Sequence, residues 1–227
     1  HTHLDHSPLA ATLKARTGAL VLGFGPAPDL PPPTVTGSGG DKERLDGHDR
    51  DFRPDRLLAD DDRLETHEFR LAAVHTPGHA DNHLCYELAG EGLLFSGDHV
   101  MQGSTVVIAP PDGDMAVYLE SLDKVRRRGF KRIAPGHGEV IEDPAAVLDG
   151  YLAHRLAREA AIAHALGCAG ADGVAVEALV AAVYTDVPDA LHPVARYSVW
   201  AHLRKLAADG RAASGDIDDL NAPWWPA

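Results

Sequence analysis

The sequence predicts an α/β domain followed by a small, mostly helical one, on three observations. Residues 56–97 break into short runs with strand-like alternation, clearest over residues 68–74, where successive side chains take opposite faces. These runs are punctuated by glycine-bearing loops and followed by a helix-then-strand pattern over residues 115–134. After Pro144 the spacing becomes wholly helical. The switch near residue 143 therefore divides the chain into residues 1–143 and residues 144–227.

Taken in order, residues 8–22 have the spacing of a helix, with Leu9, Leu13 and Leu20 as apolar markers. Residues 23–47 shift to proline and glycine, including Pro31, Pro32, Pro33, Gly37, Gly39 and Gly40, and predict a long mobile loop near the site mouth. Short strands are expected at residues 56–59, 63–66, 67–76, 82–88 and 92–97, with Gly90-Glu91-Gly92 as a hairpin turn. Residues 115–129 read as a helix marked by Val117, Leu119, Leu122 and Val125, with Gly129 able to supply the left-handed residue that closes it. A strand over residues 130–134 then feeds Pro135-Gly136-His137-Gly138. Residues 145–166 predict one or two helices, residues 174–183 and 192–208 one each, and residues 210–221 a short two-stranded wing.

Composition narrows the setting. With 44% hydrophobic and 24% charged residues the chain is of ordinary globular type, and no apolar run approaches a membrane span. Its 21 basic and 34 acidic residues give 21 − 34 = −13, which excludes a surface that is one continuous nucleic-acid footprint. The one dense basic patch, Arg126-Arg127-Arg128 with Lys131-Arg132, reads as the solvated end of a helix, favoured there by the helix dipole. Cys85 and Cys168 are read as buried small hydrophobes of a reduced, cytoplasmic protein. The tail is read as a packing and homodimer surface, with Trp200, Trp224 and Trp225 as its interface candidates.

The chemistry concentrates at His1-Thr2-His3-Leu4-Asp5-His6, four potential metal donors within six residues. In extended backbone His1 and His3 point to the same side, while Asp5 and His6 can aim at a second point a few ångströms away. Neutral imidazole and carboxylate are the donors that zinc and related divalent ions accept. Three later segments place further donors beside glycines: His75-Thr76-Pro77-Gly78-His79, Ser96-Gly97-Asp98-His99 and Ala134-Pro135-Gly136-His137-Gly138. A single histidine in such a loop is ordinarily structural. Three such loops following HxHxDH form a joint pattern.

In the order and type of these four motifs the sequence resembles the metallo-β-lactamase-fold hydrolase superfamily. The resemblance implies an αββα sandwich with two divalent metal ions, zinc foremost. One ion would take His1, His3 and His79, the other Asp5, His6 and His137, with Asp98 bridging both. Asp5 would also orient the attacking water or take its proton. His75, His83 and His99 match no ligand position. Family members place several strands before HxHxDH; nothing precedes His1 here, so the sandwich is expected to be partial. Only 38 residues separate Asp98 from His137, too few for the inserted cap domain of the nucleic-acid-processing branch. Residues 101–115 and the helical tail look like the beta-lactamase-like protein 2 group, which carries a winged-helix-like domain and includes single-strand RNA endonucleases and polyketide thioesterases. The implied substrate is a small-molecule ester or thioester, or single-stranded RNA, with no membrane partner. Two alternatives accompany it: a mononuclear iron sulfur dioxygenase, and a non-catalytic winged-helix protein that binds nucleic acid.

Overall fold

The computed structural model describes residues 1–29 and 47–227. Most of the loop expected over residues 23–47 lies outside the described residues. The first helix, α1 (Leu9–Thr17), stops short of the expected residue 22 because Gly18 takes a left-handed conformation (φ 71°) and returns its N–H to the Lys14 carbonyl. None of its residues is buried. Leu22 and Gly23 instead form strand β1 (Leu22–Gly23), paired in parallel with β2 (Arg56–Leu57).

The central sheet comprises β3 (Arg63–Glu65), β4 (Arg70–His75), β5 (Leu84–Leu88), β6 (Leu93–Gly97) and β7 (Arg132–Pro135), in that order. The first three pairings are antiparallel and β6–β7 is parallel. A parallel pair needs a crossover, and α2 (Met115–Arg128) supplies it. Asp114 caps its start by accepting the Val117 N–H, and Gly129 (φ 66°) closes it as expected. The period of two decides which residues meet the helix. Val74 and Cys85 face Tyr118, Leu122 and Val125 of α2, whereas their neighbours Ala73 and Leu84 pack with Leu58 on the opposite side. This five-stranded sheet, covered by α2 on one face, is the α/β part that the sequence predicts.

The helical part is built on α3 (Pro144–Gly167), one continuous helix of 24 residues rather than two, roughly 36 Å long. Its buried positions Leu148, Tyr151, Arg155, Glu159, Ile162 and Leu166 recur every three or four residues and form one stripe. Leu148 and Tyr151 join the core beneath the sheet, while Ile162 and Leu166 join a second core with α4 (Val176–Val183) and α5 (His192–Ala208). The wing pairs β8 (Ala212–Ser214) with β9 (Trp224–Pro226), so its second strand lies beyond the expected residue 221. Two sequence expectations are overturned here. Trp200 and Trp224 are 2% and 0% exposed and fill the second core, which removes them from any dimer surface. Cys85 is buried as expected, but Cys168 is exposed, because it follows the last turn of α3.

The Arg126–Arg128 cluster ends α2 and is paired: Arg126 and Arg127 with Asp123, Arg128 with Asp61 and Glu87. Among the described residues no helix is long and apolar enough to cross a membrane.

Candidate metal centre

All four donor-bearing segments meet at one end of the sheet. The turn containing His1, His3, Asp5 and His6 precedes α1; His79 follows β4, Asp98 follows β6, and His137 follows β7. Two glycines let these loops close up. Gly78 has φ 120° and a Cβ there would lie 2.4 Å from the Tyr118 backbone; a Cβ on Gly136 would lie 2.9 Å from Asp98 Oδ1 and 3.0 Å from His6 Cε1. The β6–β7 register shift between Phe95 and Gly97 lies just before Asp98.

The structure brings all seven sequence-predicted donors together, in two adjoining groups. His1, His3 and His79 form one; Asp5, His6, Asp98 and His137 form the other. In the first, His3 Nδ1 lies 2.9 Å from His1 Nε2 and 3.2 Å from His79 Nε2. In the second, His137 Nε2 lies 3.2 Å from Asp5 Oδ2 and 3.4 Å from Asp98 Oδ1, and His6 Nε2 lies 3.3 Å from Asp98 Oδ2. Asp98 Oδ2 also approaches His1 Nε2 at 3.9 Å and His79 Nε2 at 3.8 Å, so one carboxylate faces both groups.

The donor chemistry fits divalent cations. His79 Nδ1–H donates to the Val107 carbonyl at 2.8 Å, which turns the Nε2 lone pair inward. Burial, reinforced by the neighbouring His79 and His48, pushes the His3 pKa down to about 3, and burial lowers that of His79. Neutral imidazoles that aim lone pairs at one point repel unless a cation lies between them. His6 Nε2 and Asp98 Oδ1 are buried without hydrogen-bond partners. For Asp98, burial favours the protonated form, but the facing His6, with His79 and His137, outweighs it and holds the pKa below the usual carboxylate range.

Of the histidines assigned no ligand role, His83 accepts the Asp98 backbone N–H at 3.2 Å, lies 2.8 Å from Thr76 Oγ1 through its other nitrogen, and stacks on His1. His99 is fully buried against Tyr118, and burial lowers its pKa to about 3. His75 lies outside the cluster, stacked on Phe24. Two polar residues beside His3 were not anticipated. His48 and Asp112 form with His3 a third group of donors. A pocket of about 440 Å³ opens over this side, with Leu4, Val107 and Ala109 in its wall and His3, Asp5 and His79 bordering it.

This sheet, with histidine and aspartate loops gathered at one end and a winged helical tail, defines a class of α/β proteins whose site can hold divalent metal ions. Residues 1–137 match the Metallo-beta-lactamase superfamily and residues 175–224 the Beta-lactamase associated winged helix domain. The chain belongs to the metallo-beta-lactamase superfamily. It is 32% identical over 217 residues to the beta-lactamase-like protein 2 homolog of Drosophila melanogaster, covering 93% of this chain and 68% of that protein. It is also 32% identical over 170 residues to an atrochrysone carboxyl ACP thioesterase of Aspergillus novofumigatus (strain IBT 16806), covering 69% of this chain and 52% of that one. The chain thus spans about two thirds of the fly protein and about half of the fungal one. A crystal structure of a metallo-beta-lactamase family protein from Thermus thermophilus shares the fold, with a TM-score of 0.65, 24% identity, and coverage of 78% of this chain and 55% of that one.

Proposed function

We propose that this protein is a metal-dependent hydrolase of carboxylic thioesters or esters, using two divalent ions, zinc foremost. Residues 1–143 would form the catalytic part and residues 144–227 its helical support. The observation that carries the proposal is the single Asp98 carboxylate facing two adjoining groups of donors, each with three further ligands. His1, His3 and His79 would hold one ion, and Asp5, His6 and His137 the other. Bound there, the ions supply a water acidified to a pKa of about 7 and a Lewis acid for the substrate carbonyl.

The chain's own residues supply the rest. Asp5 Oδ2, exposed and beside His137 Nε2, would accept the proton of the attacking water and return it to the leaving sulfur or oxygen, giving the free thiol or alcohol. The water oxygen joins the acyl carbon, and the carbon–sulfur or carbon–oxygen bond breaks. Leu4, Val107 and Ala109 would take the apolar acyl chain.

Pocket chemistry favours this substrate class over RNA. Among the described residues, those lining the pocket include Asp5 and Asp112 and no lysine or arginine, whereas phosphate binding draws on cations. The Arg126–Arg128 cluster sits at the far end of α2, roughly 20 Å from the end beside the site, and is engaged with carboxylates. In the winged domain, Arg196, Arg204 and Lys205 are likewise paired, with Glu177, Asp218 and Glu159. The fungal relative's name, a thioesterase, agrees with the reading.

The test is elemental analysis of the purified protein alongside acyl-thioester, ester and single-stranded RNA substrates. Two divalent ions per chain and chelator-sensitive thioester or ester turnover are expected. RNA cleavage without either acyl activity overturns the substrate class. One iron per chain with oxygen uptake replaces hydrolysis by the dioxygenase alternative.

A further inference from the structure

The first donor group is enclosed by polar side chains that no ligand assignment uses. Asp81 donates its backbone N–H to Asp112 Oδ1 at 3.1 Å; Asp112 Oδ2 lies 3.2 Å from His48 Nε2; His48 Nδ1 lies 2.8 Å from Thr2 Oγ1; Asn82 Nδ2 donates to Thr2 Oγ1 at 3.0 Å. The chain of contacts starts and ends on adjacent residues, 81 and 82, and so closes into a ring. His3 lies against it, its ring centroid 4.7 Å from that of His48. Main-chain bonds fix the same geometry: Leu4 N–H to the Gly47 carbonyl and Asp49 N–H to the Thr2 carbonyl, both 2.6 Å. Thr2 sits between ligands His1 and His3, and residues 81 and 82 follow ligand His79. All three ligands are therefore tied to the ring through their own backbone.

The second donor group has no comparable enclosure among the described residues. The His1 and His79 side chains are 1% and 9% exposed; in the second group, apart from the shared Asp98, the values are 19% for His6, 49% for His137 and 59% for Asp5. A group held in place before binding loses less conformational freedom when an ion arrives.

We propose that Thr2, His48, Asn82 and Asp112 form a polar collar that positions His1, His3 and His79, making this triad the tighter and first-filled of two metal positions. The inference rests on the metal-dependent reading above. The collar residues are positioning residues, acting through the ligands.

The experiment titrates metal-free protein with Co(II) or Zn(II) against a chromophoric chelator, following the Co(II) visible spectrum. Wild-type protein should bind in two unequal steps. His48→Gln and Asp112→Asn should weaken the first step by about 10–100-fold, the range for outer partners of metal ligands, with altered cobalt bands and an unchanged second step. Thr2→Val should do the same, while Thr2→Ser, which restores the hydroxyl, should recover wild-type behaviour. His137→Ala should affect the second step only. Unchanged first-step affinity in His48→Gln and Asp112→Asn overturns the collar. So does equal loss in both steps with a lowered melting temperature of the metal-free protein. A third equivalent bound by wild type and abolished by His48→Gln also overturns it, by making His3, His48 and Asp112 a site of their own. Wild-type protein that binds no metal sinks the hydrolase reading, whereas two-step binding indifferent to the collar variants sinks the collar alone.

Discussion

Replacing Asp98 by Asn is the sharpest test of a shared centre. The change keeps shape and the backbone N–H that binds His83, so the β6–β7 region should stay folded. It removes the anionic donor that approaches His1, His6 and His79 through Oδ2 and His137 through Oδ1, at 3.3 to 3.9 Å. Each group then keeps three donors of four. Loss of an outer partner alone costs a metal site 10–100-fold, so losing a directly bound carboxylate should cost at least about 100-fold per ion. That corresponds to roughly 2.7 kcal/mol for each ion and about 5 kcal/mol for the pair. Dialysis against micromolar metal followed by elemental analysis should find neither position filled, and acyl turnover should disappear with the ions. A variant that keeps both ions and wild-type turnover would refute the bridging role, whatever its stability.

Two other substitutions separate site geometry from fold. Gly136→Ala removes no donor, but its Cβ would meet Asp98 Oδ1 at 2.9 Å and His6 Cε1 at 3.0 Å; metal content should fall from two ions toward one and turnover at least about tenfold, and full occupancy by elemental analysis would contradict this. Glu159→Gln, far from the ligands, strips a carboxylate that lies 3.2 Å from Lys205, 3.3 Å from Arg211 and 3.7 Å from His202. Because Arg211 is half exposed, the cost should fall below that of a fully buried pair, about 1–3 kcal/mol, or a loss of roughly 3–10 °C in Tm with metal content intact. The facing His202, then Lys205, hold the Glu159 pKa below its ordinary 4.5, so this stabilisation is present above about pH 4.5 and lost as pH falls through the lower folded value. Calorimetry showing equal Tm at pH 7 would discount the network.

Much of the fold was legible because its signals are local. Gly129 closes α2 through a bond reaching three residues, and the alternation of Ala73 with Val74 needs only the pleat. The four donor-bearing segments were legible for a similar reason, since each is a short local motif, and the resemblance their order carries singled out the seven donors among them. The collar was not. His48 meets Thr2 across 46 residues, and Asp81 meets Asp112 across 31, with no periodicity to announce either contact. Trp200 and Trp224 were misjudged because indole suits an interface and a core equally well, and only the packing of α3 and α4 against α5, which carries Trp200, decides which. Gly18 is the smaller lesson: one residue free to adopt positive φ outweighed the leucine spacing around it.

The helical tail has a mechanical consequence for the sheet domain. Tyr151 of α3 donates to the Met101 carbonyl, Arg155 donates to the Val106 carbonyl, and Ser198 of α5 accepts the Ile108 N–H. The strip between these anchors carries the Val107 oxygen that orients His79. Two helices from the second half of the chain therefore set the aim of an imidazole encoded in the first. Cutting the protein at residue 143 would leave His79 without its rudder, and loosening α3 at Tyr151 or Arg155 would be felt at the donor cluster.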